Sequence, residues 1–320
     1  MTADSSPEHI ELRRKFRIFY QEELKAFFAP METERRKYLN RFWLLLIITL
    51  LAVPAIIVFS LMFYISIERV PNRDETGFFL MLIVVFIGIC SAPILSYKKR
   101  IKGSVMEKMI SFFGDFFYLH ENRLSWDILE QSKLFSKPTF QAGDDYFYGK
   151  YKGVGITISE EKHEVKTGKN THTVFRGIII LLDMDKPFTG KTIVKKDCGW
   201  MINKCKSFGA GLGKKVALED VTFEKHFEAY SDDQIESRFL LTTAFMERIL
   251  KVKEVFKGKS IEFSFFDNKL LIKIPTRKDM FEASSLFSSA TDYNRIEGAF
   301  DQFCSVFSIV DILKLNRRIN

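Results

Sequence analysis

Cysteine, histidine and proline are scarce in this chain: 320 residues hold 4 Cys, 5 His and 8 Pro. Four cysteines do not make a disulfide framework. Cys90 lies inside an apolar run and Cys304 in a helical pattern, and the wide spacing of Cys198 and Cys205 is not the CxxC of a zinc or redox site. Free, packed thiols in a reducing compartment follow. An excess of one charge is also missing. Lys plus Arg 48 against Asp plus Glu 40 leaves a net +8, too diffuse for a nucleic-acid surface and suited to anionic lipid.

Long apolar runs are present, and charge is absent within them. Phe42 to Ile67 and Gly77 to Tyr97 carry no Asp, Glu, Lys, Arg or His. Crossing the hydrocarbon of a bilayer takes about 20 apolar residues, so both qualify as spans. Neither reads as a cleavable signal peptide, because the first follows 41 residues of polar character. Pro54 and Pro93 are compatible with membrane helices. The connection at residues 68–76 is a short turn, which makes the spans an antiparallel hairpin. Arg35, Arg36, Lys37 and Arg41 precede the first span and Lys98, Lys99, Arg100 and Lys102 follow the second, whereas the connection has Arg69 and Arg73 among three acids. The positive-inside rule then predicts a multi-pass membrane protein with both termini cytoplasmic.

Before the first span, Leu12, Phe16, Phe19, Leu24, Phe27 and Met31 recur at helical spacing, which predicts an amphipathic helix interrupted at Pro30. After the second, "GSVMEKMISFFGDFFYL" and "SWDILEQSKLF" read as helices. "DYFYGKYKGVGITISEEKHEV", "HTVFRGIIILLDMD" and "KTIVKK" then read as antiparallel strands. A hairpin turn at Thr167-Gly168 would set His163 opposite His172, a pair too poor in ligands for a metal. "FGAGLGKK", residues 208–215, lacks P-loop spacing, since Gly209 and Gly213 stand too close and Lys215 replaces the hydroxyl residue. "SIEFSFFDNKLLIKIP" is a second hairpin turning at Asp267-Asn268. Ile296, Phe300, Phe303 and Phe307 share one face of a closing helix.

The densest run of potential site chemistry is "FEAYSDDQIESRFLLT", residues 227–242. Ser231 and Gln234 match a capping box, Asp232 and Asp233 suit the first turn of a helix, and Tyr230 and Ile235 stand at staple positions. Ile235, Phe239, Thr242, Met246 and Ile249 would continue that helix on one face. Asp232, Asp233 and Glu236 thus have structural roles, and no catalytic, cofactor-binding or metal-binding residue is assigned. The fold class is α+β, a two-helix transmembrane hairpin followed by a cytoplasmic domain with an antiparallel sheet and flanking helices. The segments are residues 1–41, amphipathic; 42–97, hairpin; and 98–320, α+β domain. From Gly103 onward the chain is long enough to bury its own core.

The stretches "FEKHFEAYSDDQIESRFLLTTAFMERIL", "FFDNKLLIKIP", "MFEASSL" and "VDILKLNRRI" resemble the bacterial membrane protein family labelled domain of unknown function 3137, over about residues 10–316. The resemblance implies a membrane hairpin with a cytoplasmic domain and a bacterial inner-membrane address. It brings no catalytic residues. The function that follows is a membrane-anchored, non-enzymatic binding module, with the lipid bilayer and a protein partner or a second copy as partners and no cofactor. Two readings stay open beside it: a hydrolase-type enzyme whose site is assembled from distant segments, including Asp232, Asp233 or Glu236, and an oligomeric two-span pore.

Overall fold

The computed structural model describes residues 7–66, 73–185, 187–196, 213–218, 220–257, 260–277 and 279–315. Cys198, Cys205, Gly209, Arg69 and most of the connection between the apolar runs lie outside the described residues. Contacts divide the chain into two compact units, one of residues 1–17, 106–281 and 297–320, the other of residues 18–105 and 282–296. The fold is α+β, with two long apolar helices and a nine-stranded antiparallel sheet flanked by helices.

Helical residues begin with α1 (Pro7–Phe19), pass through a π turn (Tyr20–Leu24) and continue as α2 (Lys25–Ser66); α3 covers Arg73–Ile110. Pro30 does not interrupt α2, and Pro54 and Pro93 also lie inside helices. The π turn changes which residues face inward. A π turn adds a residue to its cycle, so the buried positions are Phe16, Tyr20, Leu24 and Phe28, four apart, whereas Phe27 is exposed. The 3.6-residue period had selected Phe19 and Phe27. α2 and α3 are both long and apolar enough to cross a membrane. They touch side by side where Thr49 Oγ1 and Cys90 Sγ lie 2.9 Å apart.

In the other unit the sheet order is β1-β2-β3-β4-β9-β8-β5-β7-β6. The strands are β1 (Phe116–His120), β2 (Phe140–Tyr151), β3 (Val154–Thr167), β4 (Asn170–Asp183), β5 (Thr192–Lys196), β6 (Lys214–Lys215), β7 (Phe227–Ser231), β8 (Glu262–Phe266) and β9 (Lys269–Pro275). The predicted turn at Asp267-Asn268 is present, with φ of 53° and 55° at its two residues. Two consecutive left-handed residues give the turn the hand that matches strand twist. "FFYL", expected to extend a helix, is instead β1: α3 ends at Ile110 and a short 3-10 turn at Ser111–Phe113 precedes the strand. Pairing with β2, Phe117 opposite Tyr148, outweighs the local helical pattern.

The sheet has a core on each face. On one, α4 (Trp126–Ser132) and its flanks place Leu124, Leu129 and Leu134 against Phe175, Ile179, Leu181 and Leu271. On the other, Phe300, Phe303 and Phe307 of the closing helix meet Phe113, Phe116, Phe147 and Phe281, with Phe281 and Phe303 stacked at 4.5 Å. Ile296, Phe300, Phe303 and Phe307 are all buried, as their spacing predicted. This aromatic layer draws these seven rings from the 33 Phe of the chain. Part of it comes from before the apolar runs: Phe16 of α1 stacks on Phe300 at 4.0 Å.

Candidate functional site

The acidic run of residues 231–236 joins a strand to a helix. Ser231 is the last residue of β7, paired with Thr192 of β5. The helix that follows, α6 (Gln234–Leu240), comes after α5 (Val221–Glu224) and is capped by Asp233, not Ser231. Asp233 Oδ1 accepts from the backbone N–H groups of Ile235 and Glu236, both at 2.9 Å. Sheet pairing holds Ser231 in extended conformation, so the cap moves two residues along. The helix is also shorter than its pattern suggested. It ends at Leu240, and Thr242 caps a new one, α7 (Thr243–Val255), by accepting from Phe245 N–H at 3.3 Å. Ile235 and Phe239 are exposed, so Ile235 forms no staple.

The other acids of the run bind backbone. Asp232 Oδ1 accepts from Lys191 N–H at 2.6 Å, while Glu236 accepts from Thr189 N–H at 2.9 Å and from Gly190 N–H. A Cβ on Gly190 would lie 2.5 Å from Glu236 Oε2 and 2.9 Å from the Asp233 Cβ, so this approach requires glycine. The run is therefore a joint that fastens residues 189–191 to the start of α6. Replacing Asp233 with Ala should cost about 0.5–2 kcal/mol of stability, the usual loss for a helix N-cap. Ser231 braces that cap from the strand side: its hydroxyl accepts from Asp233 N–H at 3.1 Å and lies 2.8 Å from the Asp233 carbonyl and 3.0 Å from the Lys191 carbonyl. Denaturant melts of Asp233→Ala check the cap, and an unchanged unfolding midpoint would refute it.

The expected histidine pair does not form. The β3–β4 turn falls at Gly168 and Lys169, and the register shifts between His163 and Glu164. As a result His163 faces Phe175 and His172 faces Val165. His163 is fully buried, with its ring between Phe135 and Phe175 at centroid distances of 5.3 and 5.2 Å.

Two consecutive glutamates, Glu160 and Glu161 of β3, are buried on opposite faces of the sheet, and the sequence reading missed both. Glu161 lies on the α4 face. Its Oε1 accepts from Leu124 N–H at 2.8 Å and Ser159 Oγ at 2.6 Å, and its Oε2 from Gln141 Nε2 at 2.8 Å; His163 Nε2 lies 2.7 Å from that same oxygen. Glu160 faces the other way and accepts from Met280 N–H at 3.0 and 3.1 Å. Burial pushes its carboxyl up to about 8, with the charges of Asp145, Asp144 and Asp279 adding to the shift and the Met280 bond opposing it.

Beside Glu160, the β2–β3 register shifts between Gly143 and Tyr146, which brings Asp144 and Asp145 together with His120 of β1. One ligand atom from each of His120, Asp144 and Asp145 lies within 4.8 Å of the others. Asp145 is buried and accepts from Tyr118 Oη at 2.8 Å. Arg176 pairs with Asp279 at the margin. One imidazole with two carboxylates is a donor set for a divalent cation, one ligand short of a closed structural zinc site. The available signal was "GDDY": two adjacent acids inside an otherwise alternating strand predict a bulge.

A second polar cluster belongs to the unit containing the apolar helices. Arg35, buried in α2, donates to both oxygens of Glu32 at 2.7 and 2.8 Å and to the Leu286 carbonyl at 2.7 Å. Those bonds hold the Glu32 carboxyl well below the usual carboxylate range. Glu32 also accepts from Ala290 N–H at 2.9 Å. Lys98 and the buried Lys102 both reach Glu282 at 3.0 Å, and Arg100 reaches Glu34 at 3.4 Å. Several of the basic residues flanking the runs are thus paired with acids, and the Arg100–Glu34 pair brings the C-terminal side of the second run beside the N-terminal side of the first.

Residues 173–315 match a family model described as "Protein of unknown function (DUF3137)". That match covers three of the stretches on which the resemblance rests and residues 310–315 of the fourth. No curated protein matches the chain. Among solved structures, the crystal structure of the mycobacterial trehalose monomycolate transport factor A, TtfA, is 11% identical, with 67% of this chain and 97% of that chain covered at a TM-score of 0.33.

Proposed function

We propose that this chain is a two-span inner-membrane protein with both termini cytoplasmic, and that its α+β domain is a non-enzymatic binding module at the membrane face. The observation that carries this reading is the character of the two apolar helices. Leu50, Phe59, Met62 and Ile65 of α2 and Leu80, Val84 and Ile87 of α3 are exposed, a surface suited to lipid. The exposed basic side chains of Arg36, Lys37 and Arg100 gather at one end of the pair, in accord with positive-inside orientation. Binding is favoured over hydrolysis because the acids of the 231–236 run are engaged by backbone N–H groups as structural ties. A protein partner or a second copy is the occupant this reading proposes.

Reporter fusions after Asn320 and within residues 68–76 test the topology. The expected result is a cytoplasmic C-terminus and an external loop. The reverse pattern, or release of the intact chain from membranes by alkaline carbonate, would overturn it.

A further inference from the structure

We infer that the stretch Glu282–Thr291 forms a third contact with the bilayer, seating Phe287 at the headgroup–acyl boundary of an anionic membrane; this rests on the membrane reading above. Phe287 is 57% exposed. A single exposed aromatic residue is ordinary on a protein surface, so its placement must supply the argument. The stretch is fixed at several points: Glu282 to Lys98 and Lys102, Leu286 to Arg35, Ala290 to Glu32, and the Thr291 carbonyl to Tyr20 Oη at 2.8 Å. Within the turn, Phe287 N–H donates to Ser285 Oγ at 3.2 Å. These ties hold the Phe287 ring edge-on to Phe42, centroids 5.2 Å apart, and Phe42 in turn meets Trp43 at 5.5 Å.

Phe42 is the first residue of the uncharged run, and Trp43 is half exposed. Three aromatic rings therefore gather where charge stops, the arrangement of an interfacial aromatic belt. Charge complementarity selects the partner. The Arg36, Lys37 and Arg100 side chains pair with Glu32 or Glu34 but are 73%, 70% and 64% exposed, so three cations and two acids with an outer face open to lipid phosphate lie around the same helix ends. Depth agrees as well. From Arg36 to Phe42 a helix rises about 9 Å, and each headgroup zone is roughly 5–7 Å thick. With the basic side chains at the phosphates, Phe287 reaches the top of the acyl chains. Clamping by Arg35 and Lys102 would hold the ring there without a large ordering cost on insertion.

The test uses the full chain in vesicles containing phosphatidylglycerol, with Phe287→Trp as the only tryptophan after Trp43, Trp126 and Trp200 are changed to Phe. Lipids brominated at the shallow 6,7 positions should quench it at least twofold more than lipids brominated at 11,12, and acrylamide should reach it poorly. Strong acrylamide quenching with no bromolipid effect would overturn the inference. So would protection from both quenchers, which is the outcome expected if a protein or a second copy covers the ring. Phe287→Cys carrying an environment-sensitive label, in a chain without its native cysteines, reads the same depth independently should the tryptophan variant accumulate poorly. A chain that remains membrane-integral with the expected fusion topology while residue 287 reads aqueous sinks this inference alone.

Discussion

Glu161→Ala should lower the stability of the β-rich unit by about 3–5 kcal/mol, the largest loss expected from a single polar substitution in that unit. The side chain is fully buried and accepts from Leu124, Ser159 and Gln141, with His163 Nε2 at 2.7 Å. Alanine strands these groups in the core. A buried donor left without an acceptor costs about 1–3 kcal/mol, and the total stays below the simple sum because the Ser159 hydroxyl can turn and water can enter. Glu161→Gln keeps the volume but presents an amide N–H2 to groups that are themselves donors. It should also destabilise, which separates loss of the acceptor from loss of volume. Urea unfolding followed by Trp126, which packs on the same core, gives the measurement. A loss below 1 kcal/mol for the alanine variant would mean that the four contacts do not order this face.

Glu160→Gln should do the opposite, and only at high pH. The folded carboxyl titrates near 8 against an ordinary value of 4.5, so the folded chain holds a proton that the unfolded chain releases. Stability from this group is fully present below about pH 4.5 and is lost as pH rises through 8. The predicted fall between pH 5 and pH 9 is on the order of 3 kcal/mol, less than the shift would imply in full because burial costs relax in real proteins. Glutamine retains an oxygen for Met280 N–H and carries no charge toward Asp144, Asp145 and Asp279. The variant should therefore match the wild type at pH 5 and exceed it at pH 9. Parallel stability profiles across that range would show that Glu160 is not buried as a neutral acid.

Much of the architecture was legible because its signals are local. Absence of charge from Phe42 to Ile67 and from Gly77 to Tyr97 marks the two long helices, since charge in hydrocarbon is costly whatever the rest of the chain does. Asp267 and Asn268 marked a tight turn because few residue pairs accept two left-handed conformations. The spacing of Ile296, Phe300, Phe303 and Phe307 showed a buried face for the same kind of reason, a period set by helix geometry.

Tertiary structure decided what local rules left degenerate. Ser231 and Asp233 are both good caps, and only tertiary pairing, of β7 with β5 and β6, takes Ser231 into the sheet. A π turn moves the inward face from Phe19 and Phe27 to Tyr20 and Phe28, a change of phase that a fixed period cannot register. Strand alternation sends Glu160 and Glu161 to opposite faces, and layers on both sides of the sheet bury both. Which donors meet them depends on residues as distant as Leu124 and Met280. Basic residues beside the apolar runs carry a topological signal in sequence. That Arg35 and Lys102 are buried against Leu286 and Glu282 follows only from the return of the chain 180 residues after Lys102, because ion pairs are specified by proximity in space and the sequence records only proximity along the chain.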